Sequence, residues 1–97
     1  MVDKLKINIY SANKQNIREV STKCVEFLKS GENRTVVLIA KSSAIPKAIS
    51  ISEIIKMEVP NVSQVNSLIN LEDESEKRRK KIEINIELMQ IKKSEHL

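Results

Sequence analysis

Two segments of this 97-residue chain hold residues suited to binding phosphate. The first is Ala40-Lys41-Ser42-Ser43-Ala44-Ile45-Pro46-Lys47-Ala48. Lys41 and Lys47 supply full positive charges around a short turn, and Ser42 and Ser43 add hydroxyl donors. The turn leads into a segment of helical character. A helix start offers free N–H groups and a partial positive charge, both of which attract anions. An ordinary turn between solvated lysines has the same residue types, because serine is common at helix starts. The second segment is Lys77-Arg78-Arg79-Lys80-Lys81. Five adjacent cations repel one another, which favours an extended arm able to neutralise several phosphates. A solvated hairpin tip or a nuclear-localisation signal has the same composition. Glu72, Asp73, Glu74 and Glu76 precede this block, close enough to fold back on it.

The rest of the composition narrows the chemistry. The formal charge is +4, from 17 basic and 13 acidic side chains, and it favours an anionic partner. The chain has one Tyr, one Phe and no Trp, which argues against recognition by base stacking and for backbone phosphates. His96 is the only histidine and lies in the tail, so neither a Ser-His nor a Cys-His arrangement can be built. Cys24 stands alone and excludes an internal disulfide or a multi-cysteine zinc site. With one glycine there is no glycine-rich phosphate loop. On strand and helix positions the carboxylates alternate with lysines, and nothing suggests the shared concave site that metal-assisted chemistry needs. The sequence thus reads as a non-enzyme without a cofactor or metal. It shows no signal-peptide core and no membrane-spanning run, which points to nucleus or cytoplasm and away from secretion.

The elements that must carry these segments are legible as periodicities. Leu5, Ile7 and Ile9 alternate with polar residues and predict a half-buried strand. Ile17, Val20, Cys24, Phe27 and Leu28 predict an amphipathic helix, with Ser11 or Asn13 as its cap and Gly31 as its left-handed terminator. Val36-Val37-Leu38-Ile39-Ala40 predicts a buried strand. A second helix follows over residues 44–57, with Pro46 in its first turn and Pro60 helping to end it. Its apolar residues exceed one narrow stripe, so part of them should face a partner subunit. Val65, Ser67, Ile69 and Leu71 predict a third strand, and Ile82, Ile84, Ile86 and Leu88 a fourth. The order β-α-β-α-β-β implies a two-layer α+β domain with a four-stranded mixed sheet. One domain spans 1–97, with a flexible charged hairpin loop at 72–81 and a short polar tail at 92–97.

The stretch from Leu38 to Ser50, followed by Glu53-Ile54-Ile55, resembles the signature of the Alba family of chromatin and RNA-binding proteins. That family shows Ala-[Arg/Lys]-Gly-x-Ala-Ile-x-Lys-Ala-Val here. The resemblance implies a fold like the C-terminal domain of translation initiation factor three. It also implies a two-fold dimer whose hairpin arms reach along a duplex. On it, Lys41 and Lys47 take the family's phosphate-contacting positions, residues 77–81 fall on the arm, and Lys14 falls near the family's paired lysines. Three positions depart: Ser42 replaces the glycine, Ser43 replaces the usual basic residue after it, and Asn13 replaces one of the paired lysines.

The candidate nucleic-acid-binding set is therefore Lys14, Arg18, Lys41, Ser42, Ser43, Lys47, Lys77, Arg78, Arg79, Lys80 and Lys81. The expected activity is sequence-tolerant binding of double-stranded DNA, RNA or both, as a homodimer or with another Alba-like chain, in chromatin or RNA and translation regulation. The alternative is an Alba-like scaffold subunit of a ribonucleoprotein such as ribonuclease P/MRP.

Overall fold

A computed structural model describes residues 3–12, 15–72 and 80–91, with 70–72, 80 and 81 described by backbone alone. Its elements are β1 (Asp3–Ile9), α1 (Ile17–Lys29), β2 (Arg34–Lys41), a 3-10 turn (Ser42–Ala44), α2 (Ile45–Glu58), β3 (Val62–Glu72) and β4 (Lys80–Gln90). The strands form one sheet in the order β1-β2-β4-β3. β1 and β2 are parallel, joined through α1, while β4 runs antiparallel to both β2 and β3. This is the mixed two-layer sheet that the strand and helix order implies.

Register explains which residues become core. Leu5, Val36 and Leu88 align across the sheet, as do Ile7, Leu38 and Ile86, and Ile9, Ala40 and Ile84. All three rows face the helices. Cys24, Val25 and Leu28 of α1 and Ala48, Ile51 and Ile55 of α2 close over them. Each large aliphatic side chain buried in this way contributes roughly 1.5–3 kcal/mol. Ser21 and Ser52 are also buried, and each hydroxyl donates to a carbonyl of its own helix, Ile17 and Ile49 respectively, at 2.7 Å. That satisfies the hydroxyls without a partner across the helix pair. Burial pushes the Cys24 thiol up to about 12, against a smaller downward pull from Lys23.

Several boundaries differ from the sequence expectation. The cap of α1 is Asn16, whose Oδ1 accepts from the Arg18 and Glu19 N–H groups at 2.8 and 3.2 Å, so neither Ser11 nor Asn13 serves. Gly31 is not left-handed; the left-handed residue after α1 is Asn33, at φ 59°. A Cβ at Gly31 would first meet the Arg34 side chain, at 2.6 Å from Nε, which would have to shift aside. Arg34 lies over the Phe27 ring at 4.9 Å and pairs with Asp3 at 3.5 Å. The strands also continue into the charged segment, through Leu71↔Lys81 to Glu72↔Lys80. Residues 72, 80 and 81 therefore belong to paired strands, because backbone hydrogen bonding does not require apolar side chains. Residues 73–79 and the tail at 92–97 lie outside the described residues.

β3 is an edge strand beyond the cover of the helices. Its alternation marks a strand without marking core: Val65, Ser67 and Ile69 pair with Glu87, Asn85 and Glu83 on the open face of the sheet, and all three are exposed. On the helix side of the same strand, Leu68 is 69% exposed. On α2, Ile49 and Met57 are exposed as well. The second helix does carry more apolar surface than its own sheet covers.

Candidate nucleic-acid interface

The parallel start of the fold gathers the candidate segments at one end of the sheet. β1 and β2 both finish there, at Ile9 and Lys41. The antiparallel β4 begins at that end, and β3 finishes there. The last β2–β4 pair is Lys41↔Glu83. β4 residues 80–82 pair only with β3 residues 70–72, so a two-stranded ribbon continues about 10 Å past β2, at 3.3–3.4 Å per residue. The turn at 41–47 and the root of the basic arm thus leave the sheet from the same end.

Hydrogen bonds across this end are specific. Gln15 clamps the end of β1: its Oε1 accepts from the Tyr10 N–H at 2.7 Å, and its Nε2 donates to the Asn8 carbonyl at 2.8 Å. Lys47 Nζ donates to the Ala12 carbonyl oxygen at 3.0 Å. Ser43 Oγ donates to Ser11 Oγ at 3.4 Å, a long hydrogen bond. The Ser42–Ala44 turn and α2 both begin without a side-chain cap, so neither Ser42 nor Ser43 is used as one. Pro46 sits in the first turn of α2, where its missing N–H costs nothing.

Ser42 adopts φ 42°, a left-handed backbone that disfavours side chains. It occupies the position at which the signature has glycine.

A cleft of about 510 Å³ opens here, lined by Asn8, Tyr10, Ser11, Ile39, Lys41 and Ser43 among others. Of the candidate set, Arg18, Lys41, Ser42 and Ser43 are exposed, and Lys47 is half-buried. Arg18 lies in the first turn of α1, which starts from the loop that follows β1. Lys80 and Lys81 lie in β4 by backbone, while Lys14, Lys77, Arg78 and Arg79 lie outside the described residues. Two neighbours are absent from the candidate set. Glu83 stands opposite Lys41 across the strand pair, and Tyr10 stands at the lip of the cleft with 58% of its surface exposed. Only the paired register exposes the first. A clue to the second was available, since Tyr10 falls just past a strand whose buried positions are odd-numbered.

The described residues thus form a four-stranded mixed sheet with two helices on one face, with Lys41 and Lys47 flanking the turn at one end of it. The family model for Alba matches residues 8–71, and the chain belongs to the Alba family, whose members are non-enzymatic nucleic-acid-binding proteins. Among solved structures, the fold is similar to that of Alba from Thermoplasma volcanium, with a TM-score of 0.57 and 17% identity over 91% of this chain and 100% of that one. A comparison with curated proteins finds no match. No helix among the described residues is long and apolar enough to cross a membrane.

Proposed function

We propose that this chain binds the phosphate backbone of double-stranded DNA or RNA, largely regardless of sequence, as a dimer acting in chromatin or RNA regulation in the nucleus or cytoplasm. The observation that carries this reading is the common origin of the 41–47 turn and the β3–β4 ribbon at one end of the sheet. Lys41, the Ser42 and Ser43 hydroxyls, Arg18 and Lys47 form the body of the contact. The ribbon that ends in Lys80 and Lys81 extends it, and Lys14, Lys77, Arg78 and Arg79 are assigned to the same contact by sequence alone. Phosphate contacts of this kind position a protein on nucleic acid without reading bases.

The dimer reading rests on the exposed apolar residues Ile49 and Met57 of α2, with Leu68 and Ile82 on the uncovered helix side of β3 and β4. Exposed aliphatic side chains of this sort favour a subunit contact. The same face could meet a second, different Alba-like chain, as a scaffold subunit of a ribonucleoprotein such as ribonuclease P/MRP would require. Light scattering separates the two: a stable homodimer supports the first, and a weak or aggregating species supports the second.

Fluorescence anisotropy with several unrelated duplexes tests the binding mode. Affinities should agree within a few-fold, and the double substitution Lys41→Ala with Lys47→Ala should weaken all of them alike. A loss confined to one sequence would contradict backbone binding.

A further inference from the structure

We infer that the cleft between the ends of β1 and β2 holds one unpaired nucleotide, its base stacked on Tyr10 and its phosphate on Lys41, Ser11 and Ser43. The inference rests on the nucleic-acid-binding reading above and adds to it a preference for unpaired ends or loops.

Two aromatic residues are too few for an extended stacking surface, as the composition implies, but one exposed ring suffices for one base, and the two are used differently. Phe27, in α1, is half-buried against the core beneath the Arg34 guanidinium. Tyr10 is 58% exposed and lies outside the core cluster. Its backbone is nevertheless fixed by the Gln15 clamp on both sides of the strand end. An exposed ring on a fixed backbone is what a stacking platform needs, because little order has to be gained when the base arrives.

The surroundings of the ring suit a nucleotide. The cleft beside it, about 510 Å³, lies within the usual range for small-molecule sites. Ile39 gives it a half-buried apolar wall, and Asn8 offers an amide able to pair with a base edge. Lys41 and the two hydroxyls line the same space and supply charge and donors for a phosphate. The Ser43–Ser11 hydrogen bond is long at 3.4 Å, so a phosphate oxygen could replace it at small cost. A base inside a duplex is stacked on its neighbours and cannot reach the ring, whereas a base in a loop or overhang can.

The test uses the full chain and two labelled RNA probes of equal phosphate count, one a blunt duplex and one a duplex with a short single-stranded overhang. 2-aminopurine in the overhang reports stacking. The overhang probe should bind about tenfold more tightly, within the range of one stacked base, and its fluorescence should be quenched. Tyr10→Ala should abolish both effects and leave blunt-duplex affinity unchanged, while Tyr10→Phe should retain them. Equal binding of the two probes, or an overhang preference that survives Tyr10→Ala, would overturn the nucleotide site alone. Failure of both probes to bind at low salt would overturn the nucleic-acid reading, and the nucleotide site with it.

Discussion

Lys47 Nζ donates a hydrogen bond to the Ala12 carbonyl oxygen at 3.0 Å, fastening the first turn of α2 to the loop between β1 and α1. One of the two lysines flanking the turn therefore has a structural partner. The exposed Lys41 has no such hydrogen bond among the described residues. Lys47→Met should lower stability by about 1 kcal/mol, the net value of a typical hydrogen bond. For a chain of this size that is roughly 4–8 °C in Tm. Lys41→Met should stay within about 0.5 kcal/mol of the parent. Thermal melts followed by circular dichroism check this, and equal losses from the two substitutions would contradict it.

Glu83 faces Lys41 across the β2–β4 pair and lowers the positive potential where phosphate should arrive. Glu83→Gln should raise affinity for nucleic acid about two- to fivefold at low salt, the scale of one exposed charge interaction. The gain should vanish when Lys41 is already Ala. A double-mutant cycle of binding free energies measures that coupling, and additive effects would show that the two charges act independently.

Ser42 holds φ 42° without the freedom of glycine. Ser42→Gly should raise stability by about 0.5–1 kcal/mol, since left-handed backbone costs a side chain roughly 1–2 kcal/mol and glycine's extra unfolded-state entropy offsets part of the gain. Ser42→Val should destabilise. Urea denaturation midpoints decide the order, and a parent more stable than both variants would contradict it. Asn33 and Asn61, at φ 59° and 57°, invite no such gain, because asparagine tolerates this region.

Cys24 is fully buried, and its thiol stays protonated to about pH 12, whereas an unfolded thiol ionises near the ordinary value of 9.0. Between those values the unfolded chain binds fewer protons than the folded one, so this group makes stability fall as pH rises above about 9 and has no effect below it. Cys24→Ala should be less stable at pH 7 through the cavity it leaves, yet show a shallower fall above pH 9. At pH 8 the native thiol should react with a thiol reagent only as fast as the chain opens. Immediate labelling would contradict its burial.

How much was legible follows from the range of each signal. Alternation at Leu5, Ile7 and Ile9, and the apolar run from Val36 to Ala40, are local and gave the right strands. The extension of β3 and β4 to Glu72 and Lys80 was not legible, because the charges there break the alternation while the backbone still pairs. Val65 and Ile69 alternate correctly yet lie on the open face, since only the sheet order reveals that β3 is an edge. The 40–48 turn was found because its signature is contiguous. Its neighbours Glu83 and Ala12 stand 42 and 35 positions from Lys41 and Lys47 and become neighbours only through strand register and helix docking.

The central claim is that the chain grips phosphates through a turn and an arm that leave the sheet together. Its most direct test is the salt dependence of duplex affinity for the parent chain and for a variant with Lys77, Arg78, Arg79, Lys80 and Lys81 all changed to Gln. Every phosphate that the variant no longer neutralises should reduce the slope of log affinity against log salt by about 0.9. The variant's slope should therefore be shallower by about 2 to 4, with residual binding from Lys41 and its neighbours that a further Lys41→Ala weakens. An unchanged slope, with or without a change in affinity, would show that the arm does not meet the phosphates and would contradict the account.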